Sequence, residues 1–341
     1  MFLPKVVYVE VAGTCNLSCP SCPVGNIGQA GRPKNLIDIK LYEQIVEKLK
    51  REYSEAKTPL TLGFYDWGEP TLHPDLPKMI RMANNAGFNT HVSSNLNVDF
   101  DLKAFVKAEP NLVIVSFSGI NQEVYELTHR GGDVNILISN LHKLRYYIDK
   151  LNKAVTVQGT FHLYRTNLLS DLTAAQSLFN SLGFEFNPVA AALLPLEKLL
   201  RFTLEEEADN IPALANVHLQ DKDNEVIGRL ITHPSVVMNH LHNAKRSRTH
   251  ALLDDPLKGM CPRQWKLPIR TDGSVDLCCY SYVNELNLGK NFLDTPMKVL
   301  STERRTHKFC ETCVETGASY YAMANDYFAN EKLEAFGSQA K

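Results

Sequence analysis

The stretch Val6-Val7-Tyr8-Val9-Glu10-Val11-Ala12-Gly13-Thr14-Cys15-Asn16-Leu17-Ser18-Cys19-Pro20-Ser21-Cys22 decides the fold. Its opening, Val6 to Val11, is rich in β-branched residues and reads as a strand that ends at Ala12-Gly13-Thr14. Cys15, Cys19 and Cys22 follow at once, a spacing that a loop can wrap around one metal centre. Structural zinc takes four protein ligands, so three thiolates leave one position open. On a four-iron cluster three thiolates leave one iron free for a non-protein ligand, which suits catalysis more than structure. A zinc site or a redox cysteine cluster is the alternative.

Strand-like and helix-like patterns alternate onward from that loop. Leu41, Ile45 and Leu49, flanked by Tyr42 and Val46, mark an amphipathic helix. Strand candidates two to six are Leu60 to Tyr65, Asn89 to Ser93, Leu112 to Phe117, Ala154 to His162 and Phe184 to Val189. Helical patterns lie between them at Leu76 to Ala86, 99–108, 121–152 (broken at Gly131-Gly132) and 168–182. Six β-α repeats predict an α/β fold with a parallel sheet, because each crossover helix returns the chain to the same edge. Functional groups then gather at the C-terminal ends of the strands, whether the sheet is open or closes into a barrel. From Leu193 the pattern changes to mixed helical sequence with Glu205-Glu206-Glu207, and Lys245-Arg246-Ser247-Arg248 reads as a solvated helix face. The last region is irregular, with five cysteines and a closing helix near 320–336. The expected units are therefore 1–192, a helical insertion or linker over 193–257, and a cysteine-bearing domain over 258–341.

The three-cysteine loop after a first strand resembles the signature of the radical S-adenosylmethionine (radical SAM) superfamily, with Ser21 where an aromatic residue is often found. The resemblance implies a partial (β/α)6 barrel and a [4Fe-4S] cluster on Cys15, Cys19 and Cys22. It extends to Tyr65-Asp66-Trp67-Gly68-Glu69-Pro70 after strand two, similar to the family's Gly-Gly-Glu-Pro element with Trp67 replacing the first glycine. That similarity assigns Gly68, Glu69 and Pro70 to the methionyl amino group of SAM. Ser94 and Asn95 after strand three, and Ser116 and Ser118 after strand four, resemble positions near the methionyl group and ribose. Ser118 stands where an aspartate is common. His129-Arg130-Gly131-Gly132 resembles the helix start whose arginine can meet the SAM carboxylate. The implied chemistry is reductive cleavage of SAM to methionine and a 5′-deoxyadenosyl radical, which abstracts a substrate hydrogen atom in a site that excludes water.

Cys261, followed by Gly273 and Cys278, and then Cys310-Glu311-Thr312-Cys313, resembles the entry half of a SPASM domain. Ser319 occupies the next expected cysteine position, which matches the shorter twitch form with one auxiliary cluster. The resemblance implies a second [4Fe-4S] cluster on Cys261, Cys278, Cys310 and Cys313; a four-cysteine zinc site is the alternative. Cys279 is left over and could exchange roles with Cys278. A spare thiol facing the substrate could give a hydrogen atom to a product radical, and a small buried side chain is the plainer reading.

Composition narrows the substrate. With 36 basic and 38 acidic side chains the net charge is −2, which excludes the basic face of a nucleic-acid binder. Apolar residues make up 44% of the chain, ordinary for a folded protein, and no run is long enough to span a bilayer. No signal peptide is visible, so a cytoplasmic location with reduced thiols is expected. Cys15 lies too near the start for a leader-recognition domain. That favours a small metabolite, of sugar, aminosugar or nucleoside type, undergoing oxidation, epimerisation or rearrangement. Modification of a ribosomal peptide is the alternative, and a non-catalytic metal protein the remote one. A flavodoxin or ferredoxin would serve as reductant. The substrate contacts expected from strand positions are Tyr65, His91, Gln158 and His162, with Tyr164 and Asn187 as further polar candidates and Glu197 and Lys198 near a capping helix.

Overall fold

Alternating burial along Asn89–Ser94, Leu112–Phe117 and Thr156–Leu163 leaves one face of each strand in the core. The computed structural model describes residues 3–26, 28, 30–56, 59–164, 167, 170–190 and 261–316. The helical insertion at 193–257, Glu197, Lys198, the Lys245–Arg248 cluster and the closing helix near 320–336 lie outside the described residues.

Six strands, β1 (Val6–Val9), β2 (Thr61–Gly63), β3 (Asn89–Ser94), β4 (Leu112–Phe117), β5 (Thr156–Leu163) and β6 (Glu185–Ala190), pair in sequence order and all in parallel. Crossover helices separate them, which is the only compact way to make consecutive strands parallel. After a short turn of helix, α1 (Pro23–Asn26), the first crossover is α2 (Ile39–Glu52), started by Asp38, whose carboxylate accepts from the amides of Lys40 and Leu41. Its buried stripe is Tyr42, Ile45, Val46 and Leu49, the spacing that keeps one face on a sheet. The later crossovers are α3 (Leu76–Asn85), α4 (Leu102–Ala108), α5 (Gln122–Thr128), α6 (Val134–Leu151) and α7 (Ser170–Ser181).

The break at Gly131-Gly132 has a steric cause. Gly131 takes φ +85°, which side chains resist, and a Cβ on Gly132 would come 2.7 Å from the Tyr125 ring. Asp133 then starts α6 by accepting from the amide of Asn135.

Residues 261–316, expected to be irregular, instead extend the sheet. β7 (Lys266–Ile269) pairs with β1 in parallel, and β8 (Ser274–Asp276) and β9 (Asn287–Asn291) continue antiparallel, giving a nine-stranded sheet ordered β6-β5-β4-β3-β2-β1-β7-β8-β9. These strands are three to five residues long and take their shape from pairing, so periodicity does not reveal them. Helices α8 (Met297–Arg305) and α9 (Lys308–Thr316) close the described chain. Lys48 of α2 donates to the carbonyls of Phe292 and Thr295, and the Glu52 carboxylate accepts from the Met297 amide, tying this region to the first crossover. Among the described residues no helix is long and apolar enough to cross a membrane.

Candidate active site

The three-cysteine loop leaves the C-terminal end of β1 and is held by its neighbours' backbones. Gly68 makes the tightest approach: a Cβ there would lie 1.7 Å from the Ala12 carbonyl oxygen and 2.8 Å from that of Thr14. No side chain fits in that gap, so the glycine lets the β2 turn lie against the loop. The Glu69 amide donates to Thr14 O at 2.9 Å, and the Ser18 amide to Arg130 O at 3.0 Å.

Glu69 locks the ends of two strands together. Its buried carboxylate accepts from the Thr71 amide at 3.0 Å, the Thr71 hydroxyl at 2.6 Å, Ser94 Oγ at 2.7 Å and the Asn95 amide at 2.8 Å. Burial raises its pKa, and these donors act against that rise. Pro70 opens the short turn that presents Thr71. Asn95 continues to the loop, donating to Asn16 Oδ1 at 2.9 Å and towards Cys15 Sγ at 3.7 Å.

These elements enclose a cavity of about 240 Å³. Its wall includes Cys15, Cys19 and Cys22, with Tyr65, Gly68 and Glu69 beside them. Ser94, Asn95, Ser116 and His162 complete the predicted residues that reach it. Pro70, Ser118, Arg130, His91 and Gln158 do not line it. His91 and Gln158 occupy third positions of β3 and β5, below the C-terminal edge, and Gln158 donates to Glu185 at 3.3 Å. Ser118 stands behind the wall, bonded to Thr128 Oγ1 and, at 2.8 Å, to His129 Nδ1.

Tyr164, a further polar candidate, also lines the cavity, as do Asp66, Trp67, Ser21, Thr128 and His129, to which sequence reasoning assigned no role. Tyr164 hydroxyl and Ser21 Oγ meet at 2.9 Å, linking the end of β5 to the cysteine loop. The imidazoles are neutral: burial lowers His162 to about 4 and His129 to about 3. His162 Nε2 shares a 2.9 Å hydrogen bond with Ser116 Oγ. The wall is thus uncharged along β4 and β5 and acidic beside β2.

A second, smaller cavity gathers Cys261, Cys278, Cys310 and Cys313. Cys279 lines neither cavity; a hydrogen bond with the Cys278 thiol, with Arg263, Lys266 and Arg304 nearby, lowers its pKa. The role of hydrogen donor gains nothing from this placement. Among the described residues no three His, Cys, Asp or Glu side chains converge as a single-ion site.

The donor sets fit iron–sulfur clusters. Burial raises the thiols of the loop, Cys15 to about 12, so they are protonated until a metal centre displaces the protons. Cys15 Sγ already accepts from the Leu17 amide at 3.4 Å, an arrangement that supports a thiolate. In the second cavity Arg304 is 2% exposed and directs its hydrogen bonds to backbone carbonyls such as Leu277 O at 2.8 Å. Among the described residues no carboxylate pairs with it. A buried cation without an anion is costly, and four thiolates or an anionic cluster would supply the missing charge.

Residues 9–163 match the model of the radical SAM superfamily. A 7,8-dihydro-6-hydroxymethylpterin dimethyltransferase from Methanocaldococcus jannaschii is 31% identical over 131 residues, 36% of this chain. Those residues span 24% of that relative, so the chain corresponds to about a quarter of its length. Among solved structures, native anSMEcpe with bound AdoMet superposes with a TM-score of 0.56 at 17% identity, covering 90% of this chain and 82% of that one. Streptococcus suis SuiB bound to the precursor peptide SuiA gives 0.58 at 12% identity, covering 94% and 71%. These similarities show a shared fold.

Proposed function

We propose that the chain is an enzyme that binds a [4Fe-4S] cluster through Cys15, Cys19 and Cys22, with SAM beside it in the first cavity. A second [4Fe-4S] cluster is assigned to Cys261, Cys278, Cys310 and Cys313. Cys278 is the ligand rather than Cys279, because it faces the other three. When bound and reduced by a flavodoxin- or ferredoxin-type donor, the first cluster supplies the electron that releases a 5′-deoxyadenosyl radical from SAM.

The chain's own residues position and shield. Glu69 fixes the ends of β2 and β3, and Gly68 lets that braced edge contact the loop. Gly68 to Pro70, Ser94, Asn95 and Ser116 form the edge assigned to SAM. Ser118 and Arg130 act from behind it, the first by holding Thr128 and His129 on the wall and the second through its carbonyl to Ser18. Tyr65 and His162 remain as substrate contacts, with His162 available as a neutral hydrogen-bonding group. The observation that carries this reading is the convergence of all three loop thiols and the Glu69-braced strand ends on one cavity.

The substrate assignment is a small polar metabolite that is oxidised, epimerised or rearranged. A modest cavity walled by hydroxyls and uncharged imidazoles supports it. The second reading is peptide modification, supported by the fold shared with SuiB bound to its precursor peptide. The methyltransferase relative matches over 131 residues, 24% of its own length, so its name does not select the reaction. The test is anaerobic turnover with candidate metabolites and peptides in deuterated buffer. Gain of one deuterium reports epimerisation, and loss of two hydrogens reports oxidation or a cross-link. Turnover of peptides alone would reject the metabolite assignment.

A further inference from the structure

One carboxyl group on the wall of the first cavity has no task in the scheme above. Asp66 lines that cavity with its side chain 4% exposed. Its ionic partner among the described residues is Arg32, at 3.5 Å. Arg32 is already engaged, holding Glu10 at 3.1 Å and Asp276 at 2.7 Å. Asp276 also pairs with Arg270 at 2.6 Å and accepts from Asn287 at 3.1 Å. Glu10 accepts in addition from the Trp67 amide at 3.3 Å.

Three buried carboxyl groups therefore share two guanidiniums, leaving one negative charge in excess. A low-dielectric site removes such an excess by keeping a proton. The proton belongs on the carboxyl with the weakest support. Glu10 and Asp276 each have a closer guanidinium and a further donor; Asp66 has the longest ionic contact and, among the described residues, no hydrogen-bond donor. We propose that Asp66 is a neutral carboxylic acid whose O–H donates a hydrogen bond to an acceptor oxygen of a ligand in the first cavity.

The groups that face Asp66 agree. Glu10 from the end of β1, Asp276 from β8 and Cys279 all disfavour its ionisation, as does burial, and Arg32 opposes them. A carboxylic acid needs an acceptor for its proton. Asp66 lines the first cavity, where a ligand can present that acceptor. The proposal rests on the reading that this cavity binds SAM and substrate. The acceptor is a carboxylate or carbonyl oxygen, which SAM itself or the second ligand could provide.

The test is anaerobic infrared spectroscopy of the reconstituted holoenzyme at neutral pH, with Asp66→Asn and Asp66→Leu. Wild type should show the carbonyl stretch of a protonated acid, above the amide band, and Asp66→Asn should lack it. A shift of that band on adding SAM, but not decarboxylated SAM, assigns the acceptor to the SAM carboxylate. A shift only on adding acetate to the SAM-loaded protein assigns it to the second ligand. Asp66→Leu should weaken the responding ligand by about tenfold, the loss of one hydrogen bond, and Asp66→Asn, which keeps a donor, should recover part of that loss. A band absent from wild type, or unmoved by all three probes, overturns the proposal, as does Asp66→Asn binding no better than Asp66→Leu. Failure of wild type to cleave SAM would instead count against the proposed function, because the acid band is read without turnover.

Discussion

Replacing Gly68 by alanine tests the link between the β2 turn and the cysteine loop. The added Cβ would stand 1.7 Å from Ala12 O, and both that atom and Thr14 O at 2.8 Å belong to backbone. Real Cβ contacts essentially never fall below 3.0 Å, so the two segments must part by about 1.3 Å. Neither can yield by rotating a side chain. The separation pulls the Glu69 amide from Thr14 O, now at 2.9 Å, and shifts Cys15 against Ser94 and Asn95. Overpacking of this kind costs about 1–3 kcal/mol of stability. A displacement of about 1 Å at a reacting centre costs on the order of 100-fold in rate. We therefore expect Gly68→Ala to bind its first cluster yet release 5′-deoxyadenosine about 100-fold more slowly, with a lowered anaerobic melting temperature. Iron content and chromatographic assay of 5′-deoxyadenosine measure both effects. A variant within threefold of wild type, melting at the same temperature, would refute the argument that this contact sets the geometry.

Glu69→Gln should lower stability by about 1–3 kcal/mol, because a buried amide NH2 would face donors where an acceptor is needed; denaturant titration checks this. Cys310→Ser should reduce iron from about eight to about four atoms per chain, leaving the first cluster able to bind SAM. Unchanged iron, or zinc in the wild-type site, would remove the auxiliary cluster from the account. The Asp66 pKa is raised by burial and by Glu10, so the folded state keeps a proton that the unfolded chain releases above about pH 4. This stability is fully present below that pH and is lost as pH rises towards the folded-state value, by at most about 1.4 kcal/mol per pH unit. Asp66→Asn should therefore gain on wild type in melting temperature as pH rises, and a constant gap would contradict the neutral acid.

The barrel was legible because its strands carry their own signal. Val6 to Val9 and Leu112 to Val115 are apolar and largely β-branched, and Gly131-Gly132 marks a helix break locally. β7 to β9 carried no such signal, since these three to five residues become strands only by pairing, β7 on β1, β8 on β7 and β9 on β8. The cysteine spacings likewise led to the two cavities. His91 and Gln158 show the limit of strand alternation: it says which face a residue takes, not how far along the strand it sits. Arg32 shows another limit. Its partners Glu10, Asp66 and Asp276 come from three separate segments, and only the sheet order brings them together.

The central claim is that the three-thiol cavity generates a radical from SAM. The direct measurement is anaerobic incubation of the reconstituted, reduced protein with SAM, compared with a variant carrying Cys15→Ala, Cys19→Ala and Cys22→Ala. Wild type should release methionine and 5′-deoxyadenosine in equal amounts, and the variant neither, while keeping the iron of its second site. Intact SAM in the presence of a fully loaded wild-type cluster, or equal cleavage by the variant, would contradict the account.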